Sequence, residues 1–256
     1  MIDRDGDDEP ANPSLARRLG PFDAAAIVIS NVIGGGIYFV PIIVAGLIPF
    51  TGWLLAAWLF GGLLAFAGAM TYAELATLRP HAGGEYVYLR EAYGPALAFL
   101  YGWKCLLVMD PGLTAALAMG LGAYAQATLA DLQPKALAIA AILAVAAANA
   151  LGLRLAGAIG QGLAVAKIAL LLALVAGGFA SGRGELARFV PFFERQAGAG
   201  PLAPALAGAL VMAFFSFGGW WEAAKLAGEV KEPGRTLPRA LALGVGAVTL
   251  LYVSVS

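Results

Sequence analysis

One cysteine and one histidine are all that 256 residues hold of the side chains that build disulfides and most metal or haem sites. Cys105 alone excludes an internal disulfide framework and a cysteine metal centre, and His81 alone excludes a histidine pair for zinc or haem. Charge is scarce as well: 12% of residues are Asp, Glu, Lys or Arg, about half the share of a soluble domain. Sixteen basic and sixteen acidic side chains cancel, so charge implies no nucleic acid and no acidic partner. No nucleophile–base pair and no metal constellation stands out, which argues against an enzyme, and no cofactor is expected.

Apolar length is what the chain has in abundance. Hydrophobic residues make up 61% and mean hydropathy is +0.81, the composition of an all-α integral membrane protein embedded in the lipid bilayer. A membrane-crossing helix needs about 20 mainly apolar residues. Such stretches run over 22–47, 52–76, 95–128, 136–151, 156–180 and 202–227; a seventh starts near Ala240 and is still running at Ser256. The chain therefore reads as the front part of a longer protein, with a disordered cytoplasmic tail over 1–20 and a transmembrane domain over 21–256. The tail lacks the apolar core and cleavage site of a signal peptide. With the N-terminus inside a cell membrane, ten Lys and Arg fall in cytoplasmic stretches and four on the opposite side, the expected bias. The amphipathic loop 78–90, with Gly83 and Gly84, predicts a short interfacial helix.

Two of these segments are interrupted. Gly34, Gly35 and Gly36 lie midway along the first, and each interior glycine costs a helix about 1 kcal/mol relative to alanine. In lipid, backbone groups left bare by such a break cost several kcal/mol unless something meets them. The sixth segment repeats the pattern at Phe215, Ser216, Phe217, Gly218 and Gly219. A single glycine cluster is explained by close helix packing. Two clusters five segments apart match an inverted repeat of five helices each, where broken helices mark a transporter's midplane site. Half-helix N-termini there suit a carboxylate and half-helix C-termini an ammonium, so a zwitterion satisfies both.

Ionisable side chains at membrane depth are functional candidates by default. Lys167 lies eleven residues into the fifth segment, and Gly35 thirteen residues past Phe22. Both are then about 17–20 Å deep, so Lys167 is placed to donate to carbonyls freed at the first break. Asp110 precedes Pro111 and reads first as a locally capped carboxylate in a kinked helix, and second as a proton carrier. Glu222, just past the second break, is placed to pair with Lys225 one turn on, with a proton or gating role as the second reading. Glu74 is expected to pair with a nearby Arg or Lys, and Cys105 and His81 to have no special chemistry.

Several stretches together resemble the amino acid–polyamine–organocation transporter superfamily, and within it the L-type amino acid exchangers and their bacterial relatives. They are Ile33-Gly34-Gly35-Gly36-Ile37-Tyr38 with Pro41, Tyr72-Ala73-Glu74-Leu75, Gly83-Gly84-Glu85-Tyr86, Ala213 to Trp220, and the loop Gly228 to Ala240. The resemblance implies a leucine-transporter-type fold of 5+5 inverted repeats, present here as the first repeat plus the first two helices of the second. It implies a substrate carboxylate on N–H groups near Gly35 and Gly36. The amino group would rest on carbonyls near Val32 and Ile33, and near Phe215, Ser216 and Gly218. Gly34 and Phe217 complete the candidate set. Sodium-independent relatives carry a lysine in the fifth helix where a sodium ion would sit, and Lys167 matches it. Gly35 stands where many relatives have serine, and Trp221 and Glu222 replace smaller or amide residues. Animal relatives tether a heavy chain through a cysteine between the third and fourth helices. The loop 126–134 has none, so no disulfide-linked heavy chain is expected.

The reading is therefore secondary amino acid transport, sodium-independent, by exchange or proton-linked uptake. A polyamine or other organic-solute permease of the same fold is the alternative, and a channel or receptor-like module the alternative of another class.

Overall fold

In the computed structural model, the described residues are 17–48, 50–80, 82–129, 133–182, 192–193 and 200–256. Most of the tail, His81, the tip of the loop 126–134 and most of the loop 181–201 lie outside them. The architecture is an all-α bundle. Helices α1 (Pro21–Val32) and α2 (Gly36–Leu47) form one broken span with a 53° bend. They are followed by α3 (Thr51–Leu78), the short α4 (Glu85–Tyr93), α5 (Pro95–Lys104), α6 (Asp110–Thr128), α7 (Pro134–Ala150) and α8 (Leu153–Ala180). Then come α9 (Leu202–Ser216), α10 (Glu222–Lys225) and α11 (Pro233–Val255). Among the described residues four helices are long and apolar enough to cross a membrane, with α5 and α6 counting as one, or five with the bent α1–α2 pair; α7 and α9 are shorter apolar helices.

Local chemistry sets the ends. Pro21 opens α1 without an N–H to satisfy, and the Asp23 carboxylate accepts the Gly20 N–H at 3.0 Å. Arg18 and Leu19, at the end of the stretch the sequence assigns to the tail, pair with the chain ahead of α11. Both N–H groups donate to the Glu229 carbonyl, at 2.9 and 3.1 Å, and Lys231 N–H donates to Leu19 O. The start of α11 is also earlier than hydropathy placed it. Its first turns carry Arg235 and Arg239, so the helix begins seven residues before the apolar run, at Pro233.

Where the sequence predicts a kink at Asp110-Pro111 the helix runs on through a π turn over Cys105–Met109, with Asp110 N–H reaching back to Cys105 O. Pro111 has no N–H to give, and the extra residue absorbs the mismatch. Among the described residues the expected cap on the Asp110 carboxylate is not found. That side chain is exposed, and Thr114 Oγ1 bonds the Asp110 backbone carbonyl instead. Likewise Glu74 has no ion pair among the described residues; Arg79 pairs with Glu91 on α4.

The core gathers α1, α2, α3, α9 and α11. On α11 the buried positions Leu237, Leu241, Val245, Val248 and Tyr252 recur at three and four residues, one helical face. Against it α3 presents a stripe of small residues, Ala57, Gly61, Gly62, Ala65, Ala69 and Ala73. Without a hydrophobic drive between helices in lipid, such close approach supplies the packing energy. Large apolar side chains elsewhere, such as Leu106, Val108 and Val165, are exposed as on a lipid-facing surface.

Candidate substrate site

The two interruptions meet. A Cβ on Gly36 would lie 3.0 Å from Ser216 Cα and 3.1 Å from its Oγ, so the start of α2 rests on the end of α9. In the other direction, a Cβ on Gly219 would come 2.6 Å from Asn31 O, and Gly219 has φ +111°, a conformation suited to glycine. Each break therefore seats the end of the other broken helix.

The last carbonyls of α1 find partners outside their own helix. Gly34 N–H, which would bond Ser30 O in a continuous helix, turns to Val32 O at 2.7 Å. Ser30 O instead accepts the Lys167 ammonium from α8. Lys167 also anchors the second half of the span, since Tyr38 on α2 donates its hydroxyl to Lys167 O at 2.9 Å. Tyr124 on α6 in turn donates to Tyr38 O at 3.1 Å. Both halves of the broken helix are thus tied to α8 beside Lys167.

Sequence reasoning missed Tyr252. Its hydroxyl lies 3.0 Å from Val32 O and 3.1 Å from Ser216 O, one carbonyl at the end of each broken helix. A phenol has one proton, so it donates to one of the two at a time while lying within reach of both. The ring is fully buried against Trp58 and Phe217, with centroids 5.7 and 5.0 Å away. A lone tyrosine in the mainly apolar run 248–255 was the available signal, because a buried phenol needs a polar partner.

Of the candidate site residues, Val32, Gly36 and Ser216 come together here. Ile33 is buried in the core, and so is Phe217, whose ring packs on Trp58 and Tyr252 rather than lining an opening. Phe215 is exposed at 59%. Phe217 and Gly218 N–H bond Phe214 O and Phe215 O, both at 3.1 Å, closing α9 with tight i→i+3 turns that resume only at Glu222 N–H on Gly219 O and run on to Ala227. The second interruption is therefore a gap between two sets of tight turns, with Gly219 at φ +111° inside it. At its far end Glu222 Oε1 accepts Lys225 Nζ at 2.7 Å. Among the described residues no hydrogen bond or ion pair ties the Asp110 side chain to either break.

Beside the first break is a cleft of 540 Å³ between α2 and α6, lined by Gly35, Tyr38, Phe39, Leu117, Leu121 and Tyr124. Apart from two phenol hydroxyls its wall is apolar. A Cβ on Gly35 would come 2.9 Å from Leu117 Cδ2 and 3.3 Å from Phe39, so glycine rather than serine fits this wall. Chemically the arrangement offers N–H groups at the start of α2, carbonyls at the ends of α1 and α9, and an apolar recess alongside.

A helical membrane protein whose two broken helices meet at their breaks belongs to the transporters built on discontinuous helices. The family model of the amino acid permeases matches residues 19–256, and the chain belongs to that family, within the amino acid–polyamine–organocation superfamily. Its members are transporters rather than enzymes. The chain is similar to the b(0,+)-type amino acid transporter 1 of Oryctolagus cuniculus, 31% identical over 256 residues, covering 97% of this chain and 52% of that protein. It is 30% identical over 249 residues to the serine/threonine exchanger SteT of Bacillus subtilis (strain 168), covering 94% and 54%. To the cystine/glutamate transporter of Homo sapiens it is 28% identical over 246 residues, covering 93% and 48%. The chain spans about half the length of the curated relatives it matches.

Proposed function

We propose that the full-length protein carries amino acids across the cell membrane by alternating access, without sodium, by exchange or proton-linked uptake. The observation that carries this reading is the junction of the two breaks, Gly36 on Ser216 with Tyr252 reaching Val32 O and Ser216 O. There the free N–H groups opening α2 receive a carboxylate and the helix-end carbonyls receive an ammonium. Val32 to Gly36 and Phe215 to Gly218 form the backbone of this site, with Phe217 acting through the core beneath it. The Lys167 ammonium on Ser30 O supplies a fixed positive charge where a coupling cation would otherwise be needed, which supports sodium independence. Glu222 and Asp110 are kept as secondary coupling candidates.

The relatives' names, amino acid transporter and exchanger, support an amino acid as cargo. The cleft beside Gly35 has no acidic side chain, which favours a neutral amino acid over a polyamine. The excess of Lys and Arg on one set of loops supports a cytoplasmic N-terminus. The loop 126–134 holds no cysteine, which supports transport without a disulfide-linked heavy chain.

The test is uptake of labelled amino acids into liposomes holding the full-length protein, with and without internal amino acid, with sodium or choline outside, and against polyamine competitors. Uptake that is trans-stimulated or proton-driven and indifferent to sodium is expected. Strict sodium dependence, or competition by polyamines alone, overturns the reading.

A further inference from the structure

Away from the two breaks, one carboxyl is buried with half of its hydrogen-bonding capacity unused. Glu85 opens α4 and is 8% exposed, and its Oε2 has no hydrogen-bond partner among the described residues. Nearby, the Tyr88 hydroxyl is buried without a partner in the same sense. Gly83 and Gly84, at φ +128° and +52°, turn the chain so that Glu85 points inward. A Cβ on Gly84 would lie 2.9 Å from Lys225 Cγ, which presses the start of α4 against α10, the far end of the second broken helix.

Lys225 thus stands between two carboxyls and is bonded to one of them, Glu222 Oε1 at 2.7 Å. The groups that face Glu85 electrostatically are Tyr72 from α3, Tyr88 from α4, Tyr101 and Lys104 from α5, and Glu222 and Lys225 from α10. Asp110 acts on Lys225 from α6. Burial is the largest influence on Glu85 and raises its pKa above the ordinary carboxylate value. Its own backbone N–H, Lys225 and Lys104 pull it down, and Glu222 pushes it up. Burial, with Glu85 when ionised and Tyr72 adding to it, pushes Tyr88 up to about 12, so this phenol stays protonated whichever state Glu85 is in.

We propose that Glu85 is a proton-binding site that couples proton movement to the second broken helix. This rests on the transport reading above. In the conformation described, Glu85 holds its proton and Lys225 stays with Glu222. When the proton leaves to water on the α4 side, Lys225 Nζ transfers from Glu222 to the new Glu85 carboxylate. That exchange draws α10, and with it the turns below Ser216, toward α4. A carboxyl that stays charged throughout would not be buried with a bare oxygen, because an unpaired buried charge costs far more than a neutral acid.

The experiment uses the full-length protein in proteoliposomes, measuring amino acid counterflow against pH and uptake under an imposed pH gradient. It also follows the infrared carbonyl band of protonated carboxyls through the same pH range. Wild type should show pH-dependent transport and a titrating carboxyl band. In E85Q both should be lost, leaving counterflow flat with pH. E222Q frees Lys225 to hold the Glu85 carboxylate, so the midpoint of the profile should move to lower pH. An E85Q protein with the wild-type pH profile or band, an unmoved midpoint in E222Q, or a wild type without either signature overturns the proposal. If wild type transports no amino acid at all, the transport reading fails, and the infrared titration of E85Q still decides Glu85.

Discussion

Tyr252→Phe removes a single oxygen and keeps the ring against Trp58 and Phe217, so its effect reports on the hydroxyl alone. Without it Val32 O retains the Gly34 N–H at 2.7 Å, whereas Ser216 O is left with no donor among the described residues. A buried acceptor without a donor costs about 1–3 kcal/mol. Side-chain hydrogen bonds inside membrane proteins average about 0.6 kcal/mol and reach about 1.7. A loss of about 1 kcal/mol is the expected outcome. Deleting the ring as well, in Tyr252→Ala, adds a cavity and brings the loss to about 3–5 kcal/mol. Reversible unfolding of the full-length protein in mixed micelles measures both. The reasoning is refuted if Tyr252→Phe is as stable as wild type, since the hydroxyl would then not hold the two helix ends. It is equally refuted if the two variants lose the same amount, since the ring would then contribute nothing.

Other substitutions probe the same junction and its surroundings. Gly36→Val drives a side chain into Ser216 backbone at 3.0 Å and should abolish amino acid binding; uptake equal to wild type would remove Gly36 from the site. Gly244→Ala sets a methyl 2.5 Å from Val28 Cγ1, where α1 crosses α11, and should cost about 1–3 kcal/mol of stability in the same unfolding assay. Lys167→Ala leaves Ser30 O without its ammonium and should reduce transport more than expression, measured by uptake per folded protein; equal losses would make the lysine purely structural. For Glu85, the raised pKa means the folded state holds the proton more tightly than the unfolded chain. Its contribution to stability is then full below the ordinary value of 4.5 and falls as pH rises from there through the raised one, a decline that should vanish in E85Q.

Spans and breaks were legible because each has a one-dimensional cause. Apolar length marks a membrane helix, and clustered glycine marks where it fails. Lys167 was placed near the first break by counting residues at a fixed rise per residue, and it lies there, on Ser30 O. What the sequence hid depends on which side chain faces which. The sequence puts Phe217 at the second break but does not show where its ring goes, which is against Trp58 and Tyr252. Tyr252 looks like one more bilayer residue until α11 is packed against α1 and α3. The pairing of Leu19 with Val230 is long-range, and nothing near either residue signals it. Hydropathy also misplaced the start of α11, since it reads apolar content and the first turns of that helix are polar.

The central claim is that a zwitterion is held at both ends by backbone at the junction of the two breaks. Binding of a labelled neutral amino acid to the purified full-length protein, competed in parallel by the parent compound, its methyl ester and its N-acetyl derivative, tests this most directly. The account predicts that the parent competes and that both derivatives fail, because each lacks one of the charges the helix ends receive. Competition by either derivative as effective as by the parent would contradict it.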